Sequence, residues 1–303
     1  MDFTPTADQA ALVDAIDRIA APFGSKPVDF HGFALSGEAL ERELADGEYF
    51  GVASIPEFGP VAAAMAVERL ARAPYAAEVA LSMLVRPHLP GEWPRPLAAI
   101  EDGRPGRFVA TARTLILIDG DRIAIATPAP GDVEPVDSIF AYPMGRLRAR
   151  PSTVTELPPE QAEAVRRWRQ VALAAEASGL LQAAIDATVE HLSVRKQFGR
   201  PLGTFQALRH RMAECAVLAA GVRWLARKAA STGDAGDAAV AAFHAQDSAT
   251  RVAYELHQML GAMGMTLEHP LHLWTYRLKA LLAEGGGRSG QARDLARNRF
   301  ADD

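Results

Sequence analysis

Apolar positions fall into three textures along this chain. Near the start, Leu12, Val13, Ile16, Ile19 and Ala20 recur at helical spacing behind Thr6-Ala7-Asp8-Gln9, which has the form of a capping box, so a helix is predicted over 7–21. Residues 22–60 are punctuated by Pro and Gly, with one helix predicted over 37–46; the Ala-rich run 60–84, carrying Val67, Leu70, Val79 and Leu84, predicts another. Prolines and glycines then crowd 87–105 and mark a boundary.

The middle of the chain changes period. RFVATA, TLILIDGDRIAIAT and DSIFAYPM are β-branched or alternating runs, and Asp119-Gly120-Asp121 supplies a hairpin turn. After Leu157-Pro158-Pro159 the helical period returns, predicting helices over 160–194, 204–232, 237–260, 271–283 and 289–299. The first of these carries Val165, Trp168, Val171, Ala172, Ala175, Gly179, Ala183 and Ile185 as a stripe whose small residues permit close packing. The expected architecture is mainly α with a small β-domain: an N-terminal helical domain over 1–90, a reduced β-domain over 91–156, and a C-terminal helical bundle over 157–303.

Composition narrows the function classes. The 303 residues are enough for a substantial core, and 49% apolar with 23% charged is ordinary for a soluble globular protein. With 37 acidic against 32 basic residues the net charge is −5, which gives nucleic-acid binding no electrostatic support. No apolar run approaches the ~20 residues of a membrane span. The opening MDFTPTADQA is acidic and lacks an apolar stretch, so it is not a signal peptide, and a cytosolic location is expected. The single cysteine, Cys215, excludes an intramolecular disulfide and a multi-cysteine metal site; amid Met212, Ala216, Val217 and Leu218 it is expected in the core. His210, His257, His269 and His272 lack metal-helix spacing, and Gly285-Gly286-Gly287 lacks the Lys-Ser/Thr sequel of a phosphate loop.

Two segments carry more chemistry than a turn needs. Val194 to Glu214 gathers Arg195, Lys196, Arg200, Arg209 and Arg211 around Phe198 and Phe205, with Gln197 and Gln206. Basic residues at a helix end complement its dipole, but a guanidinium, a glutamine amide and the free N–H groups of the next helix also suit a pyrophosphate. The second segment, HQMLGAMGMTLEHPLH, sets Gln258 one turn before Gly261 and Gly264; this is either a helix stop or a backbone bare enough for a ligand to approach.

Together the two segments resemble the acyl-CoA dehydrogenase family. Its signature Arg-x-Gln-Phe-Gly-x-Pro-x-x-x-Phe-Gln is matched by Arg195, Gln197, Phe198, Gly199, Pro201, Phe205 and Gln206, followed by His210 and Ala213. Its Gln-x-x-Gly-Gly-x-Gly turn is matched by Gln258, Gly261 and Gly264, with Ala262 at the second glycine. The helix VALAAEASGLLQAAIDATVEHL and the stretch EYFGVASIPEFG are similar to family segments as well. The resemblance is strong over 160–300, fair over 1–85 and poor over 86–156. It implies a helical domain, a β-domain and a four-helix bundle, assembled as tetramers. It further implies FAD at a subunit interface, where Arg195, Gln197, Phe198, Phe205, Gln206, Gln258, Gly261 and Gly264 contact a cofactor held chiefly by the neighbour. The reaction implied is α,β-desaturation of an acyl-CoA thioester.

Two family features are missing. The Thr-Glu-Pro segment that cradles the flavin ring is not found in 86–156. The carboxylate base falls, by position, at Gly286 or, in members that carry it on the first bundle helix, at about Arg169; Glu284 lies two residues early and is the candidate base if the turn shifts. Three readings follow. The chain is the short subunit of a heteromer, as in steroid degradation, partnered by a longer acyl-CoA dehydrogenase subunit in a heterotetramer; or a self-sufficient homomer using Glu284; or a non-catalytic structural subunit.

Overall fold

A computed structural model describes residues 4–300, so the outermost residues of the expected first and last domains lie outside the described part. The chain opens with α1 (Ala7–Ala20), started as its sequence dictates: the Thr6 hydroxyl accepts from the Gln9 amide and the Gln9 side chain accepts from Thr6 N–H, both at 3.2 Å. A short strand β1 (Leu35–Ser36), α2 (Glu38–Asp46) and α3 (Gly59–Ala71) follow.

The single helix expected over 60–84 is three elements instead. After α3 the chain leaves the helix before Pro74, which lacks an N–H and disfavours helical geometry at Ala73. It then forms β2 (Tyr75–Ala76), paired in parallel with β1, and the short α4 (Ala80–Leu84). A buried cation holds this break. Arg277, 2% exposed, donates to the carbonyls of Ala73 at 2.5 Å, Leu273 at 2.8 Å, Tyr75 at 3.0 Å and Ala71 at 3.3 Å. One guanidinium thereby satisfies acceptors that the interrupted helix leaves open.

The β region is two small sheets. In the first, β3 (Leu97–Glu101) runs parallel to β5 (Thr114–Asp119), which forms an antiparallel hairpin with β6 (Arg122–Ala126), and β9 (Val154–Glu156) closes the far edge. The hairpin turns at Gly120-Asp121 with Gly120 at φ +57°, as the Asp-Gly-Asp signal requires. The second sheet has the order β4 (Gly106–Arg107), β8 (Met144–Leu147), β7 (Val133–Pro135). Two runs expected as strands are mostly not. RFVATA contributes only Arg107 to a strand, because Phe108 turns at φ +62°, and DSIFAYPM contributes only Met144, because Ala141 turns at φ +57° before Pro143.

The rest is a bundle: α5 (Pro159–Val194), α6 (Gln206–Thr232), α7 (Ala235–Leu260), α8 (Leu271–Leu281) and α9 (Gly287–Phe300). Helix α7 starts earlier than Asp237 because Asp234 is its cap, its carboxylate accepting from the Asp237 amide at 2.8 Å. The middle of α5 is buried on every side rather than along one stripe, from Trp168 to Leu181 without a break. Gly179 marks its tightest crossing, where an added Cβ would stand 2.1 Å from the Glu68 carbonyl of α3. One apolar core runs through the N-terminal helices and the bundle, with Cys215 in it as expected, and a smaller one fills the β region.

Replacing Arg277 by Met should cost about 3 kcal/mol, since each buried carbonyl left without a donor costs about 1–3 kcal/mol. Urea unfolding of the variant checks this; an unchanged midpoint would remove Arg277 from its place in the fold.

Candidate functional site

The chain leaves α5 at Arg195 and makes a minimal hairpin, β10 (Lys196–Gln197) against β11 (Arg200–Pro201). Its two-residue turn is Phe198-Gly199, with φ of +53° and +79°. Glycine suits such a turn; phenylalanine does not, and a bulky residue held there is a strained one. The Phe198 ring is also 89% exposed. Its edge meets the Phe205 ring at 6.1 Å, and the Arg200 guanidinium lies 4.1 Å over Phe205. Arg195 makes no side-chain hydrogen bond or ion pair among the described residues. Gln197 donates to the adjacent Lys196 carbonyl at 2.9 Å, and Gln206 lies 3.4 Å from His210. No side chain among the described residues caps α6; Leu208 and Arg209 N–H donate to the Phe205 carbonyl, which leaves the Gln206 and Ala207 amides available for an anion.

At the same end of the bundle α7 stops at Gly261, whose φ of +59° with ψ of −132° is open to glycine alone. An added Cβ there would meet nothing within 4 Å, so the backbone is bare on that side. Gly264 is the opposite case: it is buried, and a Cβ would fall 2.7 Å from the His257 carbonyl. His257 locks the turn, Nδ1 lying 2.6 Å from the Gly264 carbonyl and Nε2 2.9 Å from the Thr275 hydroxyl. Gln258 is exposed on the wall of a groove of about 400 Å³, with Tyr254, Met265, Tyr276 and Lys279. The helix bearing the hairpin and the loop after α7 touch through His191 and His269, whose rings meet edge-on at 5.4 Å. Both motifs therefore share one end of the bundle, while no contact among the described residues joins Arg195 to Gln258.

Glu284 is elsewhere, in the turn before α9 at the junction with the β region. Its carboxylate accepts from the Arg107 guanidinium at 2.5 Å, and Arg107 also donates to Glu176 of α5 at 2.7 Å. The Tyr142 hydroxyl donates to the other Glu176 oxygen at 2.6 Å. Burial lifts the Tyr142 phenol well above its usual range, with Glu176 adding to it; burial alone would depress Arg107, but Glu176 and Glu284 hold it well above. Beside this triad, Arg169 donates to Glu101 of β3. The positions at which the resemblance puts a base thus hold a glycine and an ion-paired arginine, and Glu284 has one of its two carboxylate oxygens engaged by a guanidinium. A base needs a free lone pair in reach of substrate.

Glu101, Arg107, Tyr142 and Glu176 were not anticipated from sequence. One signal was available: Glu176 is a lone charge inside the apolar run VALAAEASGLL, and a buried charge demands a partner. What that partner was could not be read, since Arg107 is 69 residues away.

Residues 164–299 match the family model described as acyl-CoA dehydrogenase, C-terminal domain. Among curated proteins the chain is 35% identical over 206 residues, 64% of its length, to acyl-CoA dehydrogenase FadE34 of Mycobacterium tuberculosis. It spans 27% of that relative's length and between 28% and 34% of three further curated relatives. Among solved structures it is similar to a chain of the ChsE4–ChsE5 complex from Mycobacterium tuberculosis, with a TM-score of 0.75 at 20% identity over 98% of both chains. It is also similar to a variant of a steroid ACAD, with a TM-score of 0.76 at 22% identity over 99% of both. No helix among the described residues is long and apolar enough to cross a membrane.

The histidine beside the two motifs makes the fold acid-sensitive. Burial, then the neighbouring His191 and His272, push His269 down from 6.5 to about 4, and burial with Arg167 does the same to His88, stacked on Trp168. A depressed histidine stays neutral in the fold while the unfolded chain takes up the proton, so stability present above pH 6.5 is lost as pH falls towards 4. The melting temperature should decline over that window, and less steeply in His269→Asn; equal slopes would dismiss His269 as a contributor.

Proposed function

The chain belongs, through its helical bundle, to the acyl-CoA dehydrogenase family, and from that premise we propose that it is the short subunit of a heteromeric, cytosolic acyl-CoA dehydrogenase. On this reading it contributes Arg195, Gln197, Phe198, Phe205, Gln206, Gln258 and Gly261 to an FAD seated on a longer subunit of the same family, while the buried Gly264 shapes the turn that presents Gly261. The substrate class is the acyl-CoA thioester of a lipid or a steroid degradation product, a choice supported by the steroid ACAD among the similar structures.

One contrast carries the reading. At the junction where a self-sufficient enzyme would keep a free carboxylate, Arg107 is paired with Glu176 and Glu284, and Arg169 with Glu101. At the other end, Arg195 and Phe198 are exposed, and Arg195 has no ion pair among the described residues. The residues there fit the cofactor: a guanidinium without an ion pair, a strained aromatic ring facing solvent, uncapped helix amides, and a bare glycine backbone beside a groove. When bound, FAD supplies the hydride acceptor. Arg195 and the α6 amides would bind its phosphates, Phe198 and Phe205 would exclude water from it, and Gln258 would orient its adenosine end. The carboxylate that removes the α-proton would come from the longer subunit. In a homomer relying on Glu284 the base would be held in an ion pair with Arg107, and a purely structural subunit has no use for the strain at Phe198.

The chain purified alone should be colourless and should become yellow when co-purified with a longer family member. Stoichiometric flavin in the lone chain would reject the heteromer. In the complex, Arg195→Ala should weaken flavin retention about tenfold or more, the loss of about 1.5–3 kcal/mol expected of a charged hydrogen bond. Phe198→Asn should act in two directions: asparagine tolerates the left-handed turn, so the lone chain gains about 1 kcal/mol, while the complex retains less flavin. Thermal melts and flavin absorbance read both.

A further inference from the structure

The junction contains one feature that a merely inactive subunit does not require. Glu101, at the end of β3, sets its carboxylate against donors from two other parts of the chain: the Arg169 guanidinium of α5, and amides of the glycine turn before α9. Gly285 N–H lies 3.0 Å and 2.9 Å from the two carboxylate oxygens, and the Gly286 amide also donates. Burial alone would raise the Glu101 carboxyl, but Arg169 and the glycine amides hold it below the ordinary carboxylate value.

That donor set does not belong to Glu101 by local sequence, since Arg169 is 68 residues away and Gly285 is 184. Gly285, Gly286 and Gly287 stand at φ of +61°, +72° and +64°, conformations that glycine adopts at little cost. Such a turn aims successive amides at one point, and amides beside a guanidinium are how proteins hold an oxyanion. The set also has capacity to spare. Arg169 is 8% exposed, and its Nε–H is buried without an acceptor among the described residues.

The Glu101–Arg169 pair is a partition as well. On one side lies a cleft of about 250 Å³ walled by Arg166, Gln170, Gly286 and Arg293; on the other is a smaller one of about 110 Å³ walled by Arg107, Phe140, Met144 and Ala280. Asp102, Asp121, Glu284 and Asp294 border the clefts too and offset their arginines, which favours a small monoanion over a polyphosphate.

We propose that Arg169 and the Gly285–Gly286 amides form a carboxylate seat, that Glu101 is its resident occupant, and that this side chain shuts the junction cleft against small carboxylate ligands. The inference rests on the reading that this chain does not run the reaction at its own junction, and it says how: the cleft is closed from within rather than only stripped of its base.

Chemical complementation of the full-length lone chain tests it. Glu101→Ala should melt below the wild type, and sodium acetate or formate should raise its melting temperature by roughly 2–4 °C over sodium chloride at equal ionic strength. Wild type and Glu101→Gln, whose side chains still fill the seat, should show no such difference. The double variant Glu101→Ala/Arg169→Met should not respond either. Acetate and formate acting on Glu101→Ala no more than chloride does, or acting equally on the double variant, would overturn the seat. If Glu101→Ala does not fold unaided, refolding yield in formate against chloride makes the same comparison. No flavin or partner enters this experiment, so its failure leaves the cofactor reading standing, and a lone chain that binds flavin would sink that reading without touching this result.

Discussion

Arg107 is a guanidinium cut off from water, and the rest of the junction is arranged around the need to neutralise it. It comes from a two-residue strand of the β region; Glu176 comes from the middle of the longest helix, and Glu284 from the turn before the last one. Removing Arg107 would leave the buried Glu176 carboxylate without a cation, at about 3–5 kcal/mol. That cost ties three distant parts of the chain to a single arrangement.

The opposite end of the bundle is built on the reverse principle. Phe198 is bent into a conformation that favours glycine and faces solvent, Arg195 has no counter-ion among the described residues, and α6 begins without a side-chain cap. None of these helps a chain that folds for itself. Each is intelligible if the missing contacts are supplied by something bound across the surface, with the strain offset when it arrives. On the proposed reading, a satisfied junction and an unsatisfied motif end are two halves of one division of labour.

How far the sequence reached follows from the range of each interaction. Thr6 with Gln9, the Asp-Gly-Asp hairpin and the helices of the bundle depend on neighbours a few residues apart, and they were legible. So were the motif loops, because Arg195 to Gln206 and Gln258 to Gly264 are contiguous. The helix over 60–84 failed where Pro74 breaks it, a signal that was present but outweighed by the alanine run. DSIFAYPM failed because its apolar residues do not alternate in the fold: Ile139 and Phe140 are exposed and the adjacent Ala141 and Tyr142 are both buried, with the chain turning at Ala141. The junction was illegible in principle: Glu101, Arg107, Arg169 and Glu176 acquire meaning only once the fold brings them together.

The claim that this chain lends cofactor contacts while its own junction stays shut is tested most directly by the flavin content of the assembled complex. Quantitative release of flavin, set against the measured ratio of the two chains, should give one FAD for each pair of unlike chains. Two FAD per pair would mean that this chain seats a flavin of its own, and the account would be wrong.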